Sequence, residues 1–183
     1  MKSEKTATIR FYEELNDFLS KKNRKRDIIF HFSNQPTIKD IIESFGVPHT
    51  EVDLILVNGN SVEFGYHLTP NERISVYPKF ESFDIQNITK LRKSPLRNIK
   101  FILDVHLGKL AKYLRLLGFD TKYQNNIDDA TIVNQSKTEQ RIILTRDIGI
   151  LKHNKVQHGY YVRSDDPKSQ IKEIIQRFDL KNL

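Results

Sequence analysis

The chain has no cysteine and no tryptophan, and only one methionine and seven glycines among its 183 residues. Without cysteine there is no disulfide framework, no thiolate zinc site and no cysteine nucleophile, so stability must come from packing. No apolar run approaches the roughly 20 residues of a membrane span. The opening MKSEKTATIR also lacks the apolar core of a signal peptide. A cytoplasmic protein without membrane contact is therefore expected. At 38% hydrophobic and 29% charged, the composition is that of a globular protein long enough for one generous domain or two small ones.

What is present in excess is positive charge, and it is unevenly placed. Residues 1–80 carry 11 Lys and Arg against 11 Asp and Glu, residues 81–98 carry 4 against 2, and residues 99–183 carry 15 against 10. The formal charge of +7 thus lies wholly beyond residue 80. A basic surface around acidic residues suits a phosphodiester substrate, because the surface attracts the backbone while the acids hold a cation. Plain solubility accounts for the charge equally well.

Residues 1–80 read as strand, strand, helix, strand, strand. Thr6 to Phe11 alternates as a half-buried strand, and Asp27 to Phe32 is its antiparallel partner. Between them, the run Lys21 to Arg26 reads mainly as a solvated loop. Ile38, Ile41, Ile42 and Phe45 recur at helical spacing, with Thr37 as N-cap, Asp40 completing a capping-box-like pair, and Gly46 as the stop. Val52 to Val57 and Arg73 to Pro78 are strands, with a turn at Asn58-Gly59. The order fits an α+β β-grasp sheet with one helix across it. At Leu56-Val57-Asn58-Gly59 and Leu68 to Pro78 the segment looks like the ubiquitin-like sulfur-carrier proteins, which end in an activated Gly-Gly. Here Pro78-Lys79-Phe80 runs on into more chain, so a docking module is expected rather than carrier chemistry. Residues 81–98 are polar, basic and interrupted by Pro95, and read as a linker, with Phe83, Ile85 and Ile88 able to tack it onto a domain.

From residue 99 onward strands and helices alternate, which implies a mainly parallel α/β sheet covered on both faces. Strands are expected at Ile99–Leu103, Phe119–Tyr123, Arg141–Thr145 and Gly159–Arg163. Helices are expected after Asp104, over Asp129 to Gln140 and over Pro167 to Phe178. In the first of these helices Leu107, Leu110, Ala111, Leu114 and Leu117 form an apolar stripe opposite Lys109, Lys112 and Arg115. Asp104 and Asp147 each follow a buried strand, and Asp128 and Asp129 open a helix. Such positions converge at the carboxyl edge of an open sheet, where these folds place their ligands. Carboxylates brought together repel unless a hard divalent cation neutralises them, which suits Mg²⁺ or Mn²⁺.

The sequence Ile102-Leu103-Asp104, then Leu107-Gly108-Lys109-Leu110-Ala111-Lys112-Tyr113-Leu114-Arg115-Leu116-Leu117-Gly118-Phe119-Asp120-Thr121, then Asp128-Asp129, Ile143-Leu144-Thr145-Arg146-Asp147 and Val162-Arg163-Ser164-Asp165-Asp166-Pro167 resembles the Mut7-C family. That family is a compact branch of the PIN-domain ribonucleases whose members often carry this kind of ubiquitin-like domain in front. The likeness implies a domain order of 1–80 ubiquitin-like, 81–98 linker and 99–183 PIN-like. The family commonly continues into a four-cysteine zinc ribbon. With no cysteine and an end at Leu183, none is expected here. No acid lies between Asp120 and Asp128 to stand for the second acidic position of larger PIN domains, so weak metal affinity is expected.

Asp104, Asp129 and Asp147 are the expected metal ligands, with Asp128 a further catalytic candidate. Of Asp128 and Asp129 one is expected to cap and the other to ligate. Asp147 can also cap a short helix over Ile148 to His153, and Asp166 reads as the N-cap before Pro167, leaving Asp165 an outside candidate. His106 reads as a helix-start residue, and His153 and His158 lack metal-ligand spacing. Lys109, Lys112, Arg115, Arg146 and Thr145 are the expected substrate-binding residues. The implied activity is metal-dependent hydrolysis of RNA, leaving a 3′-hydroxyl and a 5′-phosphate, with the β-grasp unit docking a protein partner. The alternative is a non-catalytic RNA- or protein-binding module. Replacing Asp104 or Asp147 by asparagine is expected to remove charge, relieve carboxylate repulsion and leave the fold intact.

Overall fold

Alternation of Thr and Arg with Ala7, Ile9 and Phe11 gives strand β1 (Lys5–Phe11) one buried side, and the same period builds β2 (Ile28–Phe32) and β5 (Arg73–Pro78), while β3 (Val52–Val57) is buried along nearly its whole length. A computed structural model of the chain describes residues 5–78, 89–91 and 99–180. The chain divides into two compact units, 1–95 and 96–183. Most of the expected linker 81–98, with Phe83, Ile85 and Ile88, lies outside the described residues. Within it, Thr89 Oγ1 donates to the Asp53 carbonyl at 2.5 Å, and Leu91 packs against the first core.

In the first unit β1 pairs antiparallel with β2 and parallel with β5, and a short β4 (Asn60–Ser61) completes the order β2-β1-β5-β3-β4. Helix α1 (Ile38–Ser44) is capped by Thr37, whose Oγ1 accepts the Asp40 N–H at 3.2 Å and donates to Asp40 Oδ2 at 2.6 Å. Its Ile38, Ile41 and Ile42 are buried with Ile9, Phe11, Ile55 and Ile74. Each such side chain contributes about 1.5–3 kcal/mol. The connection after β1 is two 3₁₀ turns pinned by buried Asn16. Its Nδ2 donates to the Phe11 and Glu13 carbonyls, and its Oδ1 accepts the Lys25 N–H.

The second unit is a four-stranded parallel sheet in the order β7-β6-β8-β9, from β6 (Lys100–Leu103), β7 (Asp120–Lys122), β8 (Ile142–Thr145) and β9 (Gly159–Tyr161). Its central strands are apolar on both faces, as covered parallel strands must be. Phe101, Leu103, Ile142 and Leu144 meet α2 (Gly108–Leu116) and α5 (Pro167–Arg177) on one face. Ile102 and Ile143 meet α3 (Asp129–Glu139) and α4 (Ile148–Lys152) on the other. The expected α2 stripe holds through Leu114, but Leu117 is 54% exposed. The helix stops at Leu116 and Gly118 turns the chain with φ +88°, so Leu117 leaves the helical spacing that would bury it.

The amino-terminal edge of this sheet is held by ion pairs. Arg141, only 6% exposed, donates from Nη1 to Asp120 Oδ1 at 2.7 Å, from Nε to Glu139 Oε2 at 2.8 Å, and from Nη1 to the Phe101 carbonyl at 3.2 Å. Lys122 reaches Glu139 at 2.5 Å. The Arg141 guanidinium beside Asp120 holds its carboxyl below the usual range, and Lys122 with Arg141 does the same for Glu139. Asp120 and Glu139 thus each have a cation.

Candidate functional site

At the opposite, carboxyl edge the arrangement is reversed. Asp104 ends β6 and is 4% exposed, yet its hydrogen-bond partners are dipoles: Oδ1 accepts the His106 N–H at 2.8 Å, and Oδ2 accepts the Arg146 N–H at 3.1 Å and the Thr145 hydroxyl. Thr145 at the end of β8 is fully buried, and its Oγ1 also accepts the Asp147 N–H at 2.8 Å. One hydroxyl therefore ties the carboxylate of β6 to the backbone that carries the carboxylate of β8. Asp147 caps α4, with Oδ1 accepting the Gly149 N–H at 2.6 Å. A Cβ at position 149 would stand 3.0 Å from that oxygen, so glycine gives the carboxylate its room.

These residues open on a cavity of 340 Å³ lined by Asp104, His106, Asp129, Arg146 and Asp147 over an apolar floor that includes Ile127 and Ile150. Three of the four acids named from the sequence share it. Asp128 is not among its lining residues. It is the N-cap of α3, its Oδ1 accepting the Thr131 N–H and its Oδ2 the Thr131 hydroxyl, both at 2.8 Å, and those bonds hold its carboxyl below the usual range. Asp129, the next residue, turns to the cavity instead. Asp166 likewise caps α5 through the Ser169 N–H at 2.9 Å.

The expected substrate-binding residues divide. Arg146 lines the cavity, while Thr145 is sealed beneath it. Lys109 and Lys112 are exposed on α2 and do not line the cavity. Arg115 spends its Nε on the Thr121 carbonyl at 2.9 Å, clamping α2 to β7. Spacing missed other parts of the site. Gly108 lets Tyr123 pass against the start of α2, where a Cβ would stand 2.6 Å from the Tyr123 hydroxyl, and that hydroxyl donates to the Val105 carbonyl beside Asp104. His106, read as a helix-start residue, is among the residues lining the cavity.

Residues 99–183 match the Mut7-C RNAse domain, and residues 4–84 match the Mut7-C ubiquitin domain, in that order. The chain belongs to the Mut7-C family. Comparison with curated proteins and with solved structures gives no match. The Mut7-C RNAse match suggests a nuclease-like function for the C-terminal unit, and three carboxylates from three separate elements line one cavity there, oxygen donors of the kind that suit a hard divalent cation. As the side chains stand, no three His, Cys, Asp or Glu groups among the described residues are gathered closely enough to share an ion. Among the described residues no helix is long and apolar enough to cross a membrane.

Thr145→Val tests the hydroxyl bridge. Valine removes one of the two donors to Asp104 Oδ2 and leaves the Asp147 N–H without its partner, and should cost about 1–3 kcal/mol in thermal or denaturant unfolding. Thr145→Ser keeps the hydroxyl and should recover most of that loss. Equal stability in Val, Ser and wild type would mean that the bridge carries nothing.

Proposed function

We propose that the C-terminal unit is a metal-dependent ribonuclease, with Asp104, Asp129 and Asp147 holding one or two Mg²⁺ or Mn²⁺ ions. The observation that carries this reading is the convergence of three carboxylates, each from a different element, on one cavity at the carboxyl edge of a parallel sheet. A divalent ion held by these carboxylates would supply a water of lowered pKa and shield phosphate charge. The chain's own residues do the positioning. Thr145 and two backbone N–H groups fix the Asp104 carboxylate, and the Gly149 N–H fixes Asp147. The apolar floor limits water, and Arg146 orients a phosphate. Lys109 and Lys112 steer the strand by charge without reading bases. The cleaved bond leaves a 3′-hydroxyl and a 5′-phosphate, and no side chain serves as nucleophile.

A second reading, a non-catalytic RNA- or protein-binding module, is favoured by two observations. Asp104 is already satisfied by dipoles, and the acids are not gathered into a closed cage. On either reading the ubiquitin-like unit is a docking module for a protein partner, the two units fold separately about a join at 81–98, and the protein works in the cytoplasm.

The test is binding and cleavage of single-stranded RNA by the full chain. Binding should weaken steeply with salt, and Lys109→Glu with Lys112→Glu should weaken it further and reduce the salt slope by about 1.4, roughly 0.7 for each phosphate contact removed on a single strand. Salt-insensitive binding, or an unchanged double variant, would leave α2 as a wet helix face. Cleavage only with Mn²⁺ or Mg²⁺ supports the nuclease; binding without cleavage supports the module.

A further inference from the structure

Arg146 is the cation of the cavity, and it is already paired. Its Nη1 donates to the Ser164 carbonyl at 2.8 Å and meets Asp165 Oδ1 at 2.5 Å, while Nε and Nη2 have no hydrogen-bond partner among the described residues. Asp165 does not line the cavity, and its side chain is 91% exposed. The segment carrying Ser164 and Asp165 is fixed from below. Glu173 of α5 accepts the Arg163 N–H at 2.8 Å, the Ser164 N–H at 3.0 Å and the Tyr160 hydroxyl at 2.8 Å, and Gln170 Nε2 donates to the Ser164 carbonyl at 2.9 Å. Burial would raise the Glu173 carboxyl, but these donors outweigh it and hold it below the usual range.

An exposed ion pair on so firmly held a segment has little to do for stability, since such pairs contribute little. An arginine with two unused nitrogens facing a cavity has the fork that suits a phosphate, and charge-assisted bidentate bonds are the stronger kind. We infer that Asp165 is a displaceable counterion: its carboxylate holds Arg146 when no nucleic acid is bound, and a phosphodiester of the strand takes its place. The Ser164 carbonyl keeps the guanidinium aimed during the exchange. Glu173 and Gln170 are positioning residues for that carbonyl. The inference rests on the nuclease reading for the identity of the ligand as a nucleic-acid strand.

The experiment is fluorescence anisotropy of a labelled single-stranded RNA oligonucleotide with the full chain in EDTA, so that cleavage does not enter. Asp165→Asn should tighten binding about two- to fivefold, the range expected from releasing one exposed pair. Arg146→Gln should weaken binding, and Asp165→Asn added to Arg146→Gln should restore no more than the small gain of the charge control. Asp179→Asn is the charge control. It lies beyond the far end of α5 at a left-handed position that asparagine tolerates, and should give a smaller gain that persists without Arg146. Melting curves check that each variant is folded. A gain from Asp165→Asn that equals the Asp179→Asn gain, or that survives in full in Arg146→Gln, overturns the inference. Metal-dependent cleavage by wild type together with no Asp165 effect would sink the counterion and leave the nuclease standing. An Arg146-dependent Asp165 effect without cleavage in any metal would do the reverse.

Discussion

Asp147→Asn should lower Mn²⁺-dependent RNA cleavage by on the order of a hundredfold or more, while unfolding stays close to wild type. Loss of an outer partner of a metal site already costs 10–100-fold in affinity or activity, so loss of a ligand should cost at least as much. Stability should hold because asparagine is as good an N-cap as aspartate, and its oxygen can still accept the Gly149 N–H. Asp104→Asn should abolish cleavage too, but with a different stability signature. The expectation that relieved repulsion leaves this variant intact does not survive the geometry. The two oxygens of Asp104 accept N–H groups from opposite sides, His106 on one and Arg146 on the other. An amide must turn its NH₂ against one of them, at a cost of about 1–3 kcal/mol. Cleavage and chemical denaturation on the two variants separate these effects. Full activity in Asp147→Asn would make that residue a cap alone.

The largest stability effect is expected at the other edge of the sheet. Arg141→Met should destabilise the C-terminal unit by about 2–3 kcal/mol. That is below the ~3–5 kcal/mol of a fully buried broken pair, because Asp120 is half exposed and water screens part of the loss. The variant removes the Arg141 donors from Asp120, Glu139 and the Phe101 carbonyl at once, leaving Glu139 with Lys122 alone. The same network gives a pH dependence with a definite sign. The carboxyls of Asp120 and Glu139 sit lower in the folded chain than in the unfolded one. Their contribution is therefore fully present above the unfolded carboxyl values of about 4 and is lost as pH falls through the lower folded values. Stability of wild type should fall below about pH 4 more steeply than that of Arg141→Met. Parallel acid-denaturation curves for the two would contradict the network.

Much of the fold was legible because it depends on short-range pattern. The period of two in β1 and β5, the helical spacing of Ile38, Ile41 and Ile42, and the double-faced apolar runs of β6 and β8 each specify an element within a few residues. Thr37, Asp128 and Asp166 cap where an acid or hydroxyl followed by a helix places them. Which of two adjacent acids caps and which faces the cavity was legible only as a slight preference for Asp129 as the cavity residue, because only the helix phase separates Asp128 from Asp129. Arg141 was read as no more than the start of a strand. Its burial comes from Asp120, 21 residues away, and Phe101, 40 away. Arg146 and Asp165, Glu173 and its loop, and Tyr123 against Gly108 are likewise pairings that only the folded sheet creates. Leu117 failed for the opposite reason: its spacing was right, but Gly118 ended the helix first.

The central claim is that Asp104, Asp129 and Asp147 share an ion, and anomalous scattering from crystals soaked in Mn²⁺ tests it most directly. The account predicts a manganese peak in the cavity within coordinating distance of all three carboxylates, with Asp129 and Asp147 moved inward to close the cage that their present positions leave open, and loss of that peak in Asp147→Asn. A soaked crystal with no manganese in the cavity, or with the metal only on surface carboxylates such as Asp165 and Asp166, would contradict it.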